Sequence, residues 1–367
     1  MKKIAIIDFV GAKAGMDYYD ESLLTALSGI GYKAFLFSNY VKCVQSVDVV
    51  KVFDRNAKNK FSMFGSFFFG LVRSLIICKK KEVRTIILHV FSASNVMLIF
   101  FAIVKIFGFK VITIGHDIVS CTGDDSSIAQ QLIYNRFSSS IVVHNKYSQG
   151  LLSNLVADQS KIKVIQSGNY ISDINREIDR DHARRILRLD ENYRYILFFG
   201  QIKTVKGLDV LIESLPLVDK DIRLIIAGNP NRDDFQRYQD QIDRLDLSER
   251  VVKFVRYIKD EEKDLFFAAA DALILPYRAI FQSAVLLMGM SYGVPIIASD
   301  LAGNREVITD ESYGLLFACE DHEDLARKIG LLFSTAGMLE NISIRSRAYM
   351  AEQYSWENAA VKYTEVL

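Results

Sequence analysis

The sequence repeats one pattern, in which a short run of β-branched and aromatic residues is followed by a glycine-containing or small polar loop and then by a helical pattern. The first half opens with IAIIDFVGAKAG and ESLLTALSGIGY, and the second half with YILFFGQIKTVKG and LDVLIESLPLV. Further strand candidates are KAFLFS, TIILHV, KVITIGHD and SIVVHN, then RLIIAG, VVKFV, ALILPY and PIIAS. Short apolar runs that alternate with helices are typical of parallel sheets covered on both faces. The pattern therefore predicts an α/β protein with two Rossmann-like parallel sheets.

The length of the chain favours two domains. With 367 residues, it is longer than a single hydrophobic core usually grows. Half of the residues are hydrophobic and 24% are charged, a balance that is typical of ordered globular proteins. We predict an N-terminal domain over residues 1–172, a linker over the Asp- and Arg-rich stretch 173–192, and a C-terminal domain over residues 193–349.

The net charge of +1 conceals an asymmetry along the chain. Residues 1–170 carry twenty Lys and Arg against eleven Asp and Glu, so this half is basic. A basic half indicates a polyanionic partner such as anionic lipid headgroups, lipid phosphates or nucleic acid, and lysines scattered over a solvated surface are the alternative. Because the four cysteines are widely separated and the opening apolar run is too short for a signal peptide, we expect a cytoplasmic protein with reduced thiols.

Two apolar stretches of the first half approach the roughly 20 residues that a transmembrane helix needs. Residues 96–109 lie between two strand candidates and are predicted to form a buried crossover helix. Residues 61–78 contain a stripe of apolar residues at helical spacing, which predicts a core-facing side. The residues of this stripe are Phe61, Phe64, Phe68, Leu71 and Leu75.

The same stretch has apolar residues outside its stripe, and cations follow them. Aromatic residues beside a cationic cluster are typical of a helix that rests in a membrane interface, and a helix buried on all sides is the alternative. The predicted membrane contacts are Phe67, Phe69, Arg73, Lys79, Lys80 and Lys81.

Two loops of the second half have the composition of phosphate sites. In ILFFGQIKTVKG, Gly200 and Gly207 flank a loop that ends with Lys206 at the start of a helix. In ALILPYRAIFQSAVLLMGMSYGVPIIASDLAGNREVI, a helix is predicted to begin near Ser283, where unpaired backbone amides can bind a pyrophosphate. Glu306 follows the next strand, at the same carboxyl edge of the sheet. We therefore expect both loops and this carboxylate to converge on one ligand.

Five segments of the second half, taken in order, resemble glycosyltransferase family four, a large family of retaining enzymes with the GT-B fold. They are GQIKTVKGLDVLIESL, LIIAGNP, RYIKDEEKDLFFAAADALILPYR, MSYGVPIIASDLAGNREVI and SYGLLF, within residues 195–330. The N-terminal half is similar more loosely, through Gly15, the dipeptide His116 and Asp117, and VIQSGNY. The resemblance implies two domains that face each other across a cleft. The closing YSWENAAVKYTEVL resembles the family's C-terminal helix, which implies that residues from about 350 to 367 pack back on the N-terminal domain.

The resemblance also implies a role for each matching position. The residues implied at the donor diphosphate are Gly15, Gly200, Gln201, Lys206, Ser283, Ala284 and Val285. Those implied at the nucleobase and ribose are the backbone of Arg256, Tyr257 and Ile258, with Met288, and those implied at the donor sugar are Gln282 and Glu306. His116, with Asp117, is implied to be catalytic, close to the anomeric centre of the donor sugar. The resemblance implies no metal and no other cofactor.

The sequence departs from the family's pattern at three positions. Gln201 stands where an Arg is usual, which removes one of two diphosphate cations. Ile280 and Met288 stand where two glutamates are usual, which leaves the ribose contacts and the nucleotide open. Gln282 with Ser283 is similar to a variant found in exopolysaccharide and capsule members of the family.

The remaining histidines at strand ends have a simpler interpretation. His89 and His144 are predicted to be structural. His116 has the same alternative, as a strand-end histidine bonded to a neighbouring backbone group, and only the resemblance favours a catalytic role for it.

The sequence is compatible with three functional classes to different degrees. We predict a glycosyltransferase that moves a sugar from a UDP- or GDP-linked donor to a lipid-linked or polysaccharide acceptor, peripherally bound at the cytoplasmic face of the plasma membrane, with no nucleic-acid partner. The resemblance implies retention of configuration. The alternative is a non-catalytic scaffold or binding subunit of a polysaccharide assembly complex, which Gln201, Ile280 and Met288 favour. A dinucleotide-dependent oxidoreductase is disfavoured because neither opening strand is followed by GxGxxG.

Overall fold

The computed structural model describes residues 1–11, 15–54, 60–118, 126–230 and 234–367. The chain divides into two compact units. The first unit comprises residues 1–168 and 354–367, and the second comprises residues 169–353.

The first unit contains a seven-stranded sheet whose paired strands are all parallel. Its strands are β1 (Lys3–Ile7), β2 (Lys33–Ser38), β3 (Val47–Lys51), β4 (Thr85–Val90), β5 (Lys110–Gly115), β6 (Ser140–Val143) and β7 (Ile162–Val164). Its helices up to residue 168 are α1 (Met16–Gly29), α2 (Lys60–Lys80), α3 (Asn95–Ile106), α4 (Ser127–Gln131), which continues as a π-helical turn (Leu132–Phe137), and α5 (Lys146–Ser153). The strand order is β3-β2-β1-β4-β5-β6-β7.

The second unit contains a six-stranded sheet, again with all paired strands parallel. Its strands are β8 (Arg194–Phe199), β9 (Ile222–Gly228), β10 (Val251–Val255), β11 (Ala272–Leu275), β12 (Ile296–Ser299) and β13 (Leu315–Phe317). Its helices are α6 (Arg180–Leu187), α7 (Leu208–Ser214), α8 (Gln236–Arg244), α9 (Asp260–Ala269), α10 (Ala284–Tyr292), α11 (Ala302–Arg305), α12 (His322–Ser334) and α13 (Met338–Gln353). The strand order is β10-β9-β8-β11-β12-β13.

In each sheet, chain order reverses once along the strand order. β1 lies between β2 and β4, and β8 lies between β9 and β11. Open α/β sheets bind ligands at such switch points, outside the carboxyl ends of the strands. The central strands of both sheets, such as β1, β4 and β11, are buried on two faces, which is why they are continuous apolar runs. The predicted fold class, α/β with two Rossmann-like parallel sheets, is confirmed.

The last helix, α14 (Trp356–Tyr363), packs against α1 in the first unit, as the resemblance implied. The hydroxyl groups of Tyr19 and Tyr363 lie 3.1 Å apart, and the Trp356 ring meets the Tyr19 ring edge-on with centroids 5.0 Å apart. Gly168 lies under the indole, where a Cβ would come within 2.2 Å of the Trp356 ring. This position therefore requires glycine, and the aromatic contacts fix the end of the chain on the first unit.

The stretch predicted as a linker, residues 173–192, lies within the second unit and includes α6. Arg184 of α6 is buried, and its Nε donates to the Ala269 carbonyl at 3.1 Å. Its Nη2 donates to the Asp271 carboxylate at 2.9 Å, and Arg180 bonds the other oxygen of that carboxylate at 2.6 Å. The charged composition that suggested a linker thus forms ion pairs that hold α6 on α9.

The apolar stripe predicted to face the core along helix α2 is buried only in part. Leu71 and Leu75 are fully buried as predicted, but Phe64 is 38% exposed. Phe67 packs instead, with its ring edge-on to Phe9 and Phe53 at centroid distances of 6.0 and 5.6 Å. The position of Phe9 after β1 selects Phe67 for the packed side of the helix.

Helix α3 is the predicted crossover helix, and it connects β4 to β5. It is buried on one side only. Phe100, Phe101 and Val104 face the core, while Val96 and Ile99 are each 45% exposed. The prediction of a buried crossover helix therefore holds for one of its faces only.

Replacing Arg184 by Ala is expected to lower the free energy of unfolding by about 3 kcal/mol, because Asp271 would remain as a buried carboxylate without its inner partner. Arg180→Ala, which removes the half-exposed partner of the same carboxylate, is expected to cost about 1 kcal/mol or less. Urea denaturation of both variants measures this difference. Equal losses would contradict the assigned role of α6.

Candidate functional site

The first unit collects polar side chains at the carboxyl edge of its sheet. Asp8 directly follows β1, His89 lies near the end of β4, His116 follows β5, and His144 follows β6. Parallel strands end at the same edge, which brings these residues together around the switch point between β1 and β4. The described residues contain no group of three or more His, Cys, Asp or Glu side chains arranged to hold a metal ion.

Asp8 shapes the loop between β1 and α1. Its two carboxylate oxygens accept hydrogen bonds from the backbone amides of Val10 at 2.7 Å and Gly11 at 2.6 Å. Burial, followed by the charge of Asp20, raises the pKa of Asp8 to about 6. Gly15 occupies the N-cap of α1, with φ of 75°. A buried acidic group therefore holds residues 8–11, the described start of the loop that leads to Gly15.

His116 is joined to two buried side chains. Its Nε2 lies 2.9 Å from Nδ1 of His89, and Nε2 of His89 lies 2.8 Å from Oδ1 of Asp20. The Phe91 ring stacks on the imidazole of His116, with centroids 4.3 Å apart. Burial lowers the pKa of His89 to about 4 and that of His116 well below its usual range, so both rings are neutral at neutral pH.

The three strand-end histidines have different environments. His144 donates from Nδ1 to the Ile165 carbonyl at 2.8 Å, an environment that fits the structural role predicted for it. The hydrogen-bond partner of His116 among the described residues is the His89 side chain, whereas the alternative interpretation expected a neighbouring backbone group. His89 is bonded directly to His116, a connection that the prediction of a structural His89 missed. The only sequence signal for this cluster is that TIILHV, KVITIGHD and SIVVHN each place a histidine at a strand end. Asp117 follows His116 and is half-buried.

In the second unit, the loop after β8 carries Lys206 on a short 3₁₀ turn, Thr204–Lys206. Gly200 and the exposed Gln201 open this loop, and Gly207 closes it with φ of 65°. A Cβ on Gly207 would lie 1.8 Å from the Pro276 carbonyl oxygen, so glycine is required both for conformation and for close approach. The Lys206 ammonium lies 3.7 Å from the ring centroid of the buried Tyr277. A cation held over an aromatic face, in the loop after a parallel strand, is suited to bind an anionic group.

Arg278 fixes the loop that carries Lys206. Its guanidinium bonds both oxygens of Asp209 at 2.9 and 2.7 Å, Glu320 at 2.6 Å and the Thr204 carbonyl at 2.7 Å. Its backbone amide also donates to the Val205 carbonyl at 2.9 Å. The loops after β8 and β11 are thereby joined. Sequence reasoning missed this residue because its partners are up to 74 residues away, and the Arg in ALILPYR was the only signal.

Helix α10 begins where the sequence predicted. Ser283 is its N-cap, and the Ser283 hydroxyl accepts a hydrogen bond from the Leu286 amide at 3.1 Å. This bond satisfies one first-turn amide and leaves those of Ala284 and Val285 without an acceptor inside the helix. The first turn carries no acidic residue, so its positive dipole end is not neutralised locally.

The other predicted site residues lie along the same edge of this sheet. Arg256, Tyr257 and Ile258 follow β10, two strands and so about 10 Å from β8. The Arg256 side chain forms a two-point ion pair with Glu262 at 2.8 and 2.6 Å, and its Nη1 also donates to the Tyr257 carbonyl at 3.2 Å. Ile280, Gln282 and Met288 border the start of α10 and are half-buried. Glu306 ends α11 and is half-buried.

Comparisons with known proteins agree with this geometry. Residues 179–349 match the family model described as glycosyl transferases group 1. An uncharacterized glycosyltransferase of Methanocaldococcus jannaschii is 26% identical over 62% of this chain and 58% of its own length. The chain spans about half the length of the curated relatives it matches.

Solved structures are similar over the whole chain. Sucrose-phosphate synthase from Thermosynechococcus elongatus superimposes with a TM-score of 0.82 at 17% identity, covering 100% of this chain and 98% of that one. Anabaena HepE in complex with UDP-glucose gives a TM-score of 0.77 at 19% identity, covering 100% of both chains. These similarities extend the predicted GT-B fold to both units. Within the second unit, residues 179–349 match the glycosyl transferases group 1 model.

Proposed function

We propose that this protein transfers a sugar from a nucleotide-sugar donor to an acceptor. The observation that carries the proposal is the carboxyl edge of the second sheet, where Lys206 and the capped start of α10 lie on the loops after β8 and β11. These two loops flank the switch point, and they lie within the segment that matches the group 1 family model. A cation and free helix amides together bind a diphosphate, which is the part that UDP-, GDP- and ADP-linked sugar donors share.

A UDP-linked donor is the first candidate. HepE, whose fold this chain shares over its whole length, was solved with UDP-glucose. In our proposal Lys206 and the amides of Ala284 and Val285 hold the diphosphate, and the backbone of residues 256–258 borders the nucleobase. Gln282 and Glu306 are proposed to face the sugar. The proposal includes no resident metal.

In the proposed reaction, the site has to stabilise the diphosphate as it leaves the sugar. As the bond from the anomeric carbon to the phosphate oxygen breaks, negative charge develops on the phosphate, where Lys206 and the helix amides stabilise it. We propose attack on the same face, so that configuration is retained. The acceptor oxygen bonds the anomeric carbon, and its proton passes to the leaving phosphate oxygen. His116 is proposed to contact the donor sugar, on the strength of the resemblance.

The positions that depart from the family's usual residues support a second candidate function. Ile280 and Met288 offer no carboxylate beside the start of α10, and Gln201 offers no second cation. A non-catalytic scaffold of a polysaccharide assembly complex would tolerate these changes. Donor binding separates the two candidates.

The donor test is a thermal-shift and calorimetric screen of the full chain against UDP, GDP, ADP and their sugar conjugates. We expect one nucleotide class to bind, and Lys206→Ala to weaken it about tenfold, since one charge-assisted contact is lost. Lys220→Ala is the matched control, because Lys220 precedes β9 at the opposite edge of the sheet, and it should bind as the parent does. Failure of every nucleotide to bind would favour the scaffold.

We further propose that the acceptor is lipid-linked or a polysaccharide, and that the first unit rests on the cytoplasmic face of a membrane. Along α2, Phe69, Arg73, Ile76 and Lys80 follow one another at intervals of three and four residues, and all are exposed. Phe69 is 72% exposed and Ile76 is 44% exposed. Apolar side chains that alternate with cations along one exposed line suit an anionic bilayer interface.

Helix α2 is proposed to lie on the membrane rather than to cross it. By length and composition, its segment Ser62–Lys80 is suited to span a bilayer, with a mean hydropathy of 1.4. However, Leu71, Leu75 and Cys78 are fully buried in the first unit, and Gly70 lies against Phe53. Crossing a bilayer would require these contacts to break. Lys79 and the exposed Lys81 extend the cationic end of the helix.

The membrane proposal predicts opposite effects for two neighbouring phenylalanines. Phe69→Ser should weaken binding to phosphatidylglycerol-containing vesicles about tenfold and leave stability unchanged, because an exposed ring contributes about 1.5 kcal/mol or more when it enters the interface. Phe67→Ser should lower the unfolding midpoint, because this ring is packed on Phe9 and Phe53. Vesicle sedimentation and thermal denaturation measure the two effects. Unchanged vesicle binding by Phe69→Ser would contradict the proposal.

A further inference from the structure

Two buried side chains of the first unit, Asp20 on α1 and His89 on β4, have no part in the donor chemistry described so far. Their side chains are 0% and 2% exposed, and Asp20 Oδ1 lies 2.8 Å from His89 Nε2. His89 Nδ1 in turn lies 2.9 Å from His116 Nε2. The three side chains therefore form one hydrogen-bonded chain that ends at His116.

The directions of these bonds are coupled, because a neutral imidazole has one N–H and one lone pair. If His89 donates from Nε2 to an Asp20 carboxylate, its Nδ1 must accept from His116, and Nδ1 of His116 keeps a lone pair. If the Asp20–His89 pair holds one further proton, His89 donates from Nδ1 to His116 Nε2. His116 then carries its own proton on Nδ1. Because the His89 ring is neutral at neutral pH, the further proton lies on Asp20, whose carboxyl group then donates to His89 Nε2.

The surroundings favour the arrangement with the further proton. Without it, the Asp20–His89 pair would carry a net charge of −1 inside the protein, close to the buried carboxyl group of Asp8. Burial, followed by the charge of Asp17, raises the pKa of Asp20 well above its usual range. Two neighbouring buried carboxyl groups do not readily ionise together. Since Asp8 already accepts two backbone amides, it is the better placed of the two to be ionised.

We propose that Asp20 and His89 are positioning residues that hold His116 in the tautomer with its proton on Nδ1. The role of this tautomer rests on the proposed function, in which His116 contacts the donor sugar. Because His89 occupies the single lone pair of His116, His116 donates a hydrogen bond to a substrate oxygen and does not take the proton of the acceptor hydroxyl. That proton passes to the leaving phosphate oxygen, as same-face attack requires.

The tautomer is measured by ¹⁵N–¹H correlation NMR of the full chain labelled at its histidine side chains. We expect His116 to be protonated on Nδ1 at neutral pH. His144 is an internal control, because its Nδ1 donates to a carbonyl oxygen and must give the same pattern. A proton on Nε2 of His116 would overturn the proposal. This measurement requires no donor, no acceptor and no substitution.

The proposed role of Asp20 and His89 in sugar transfer is tested by substituting His89. His89→Leu removes the donor to His116 Nε2 and is expected to lower kcat about 100-fold while the donor Kd changes by less than about twofold. His89→Gln supplies an amide donor in its place. Its kcat is expected to be at least about tenfold higher than that of His89→Leu. Unchanged kcat in His89→Leu would overturn the proposal, and the His144 signal reports whether each variant is folded. If the parent protein transfers no sugar, the proposed function fails, while the NMR experiment still decides the tautomer.

Discussion

The parallel pairing of every strand in both sheets is the constraint on which the rest of the structure depends. Parallel strands require a crossover after each strand, so the loops that follow them all leave from one edge. Residues far apart in the sequence, such as Asp8 and His144 in the first unit or Lys206 and Ser283 in the second, are thereby brought to a shared edge. Functional side chains concentrate there because the loops, unlike the strands, do not have to pair with neighbouring strands through their backbone hydrogen bonds.

Local signals in the sequence predicted the features that depend on local structure. The apolar runs predicted the strands, and the Ser283 signal predicted the start of α10, because both follow from residues that are adjacent in the chain. The Asp20–His89–His116 chain could not be predicted in this way, since Asp20 and His89 are 69 residues apart and meet only once β1, β4 and α1 have packed. Arg278 escaped notice for the same reason.

Composition was least informative where charged or aromatic residues are abundant. Residues 173–192 have few large apolar groups, yet Arg184 is buried through its ion pair with Asp271. In α2, helical periodicity alone did not separate Phe67 from Phe69. The packing partners of Phe67, which come from the segments after β1 and β3, decide which ring is packed. Such distinctions depend on partners distant in sequence, and only the tertiary structure supplies them.

The central claim is that the carboxyl edge of the second sheet binds the diphosphate of a nucleotide-sugar. Hydrogen–deuterium exchange of the full chain, with and without saturating UDP-glucose or the nucleotide-sugar that binds best, tests it directly. The account predicts slower exchange at residues 200–207 and at the first turn of α10, with the amino-edge loop before β9 unchanged. Protection confined to other segments, with none at these two loops, would contradict it.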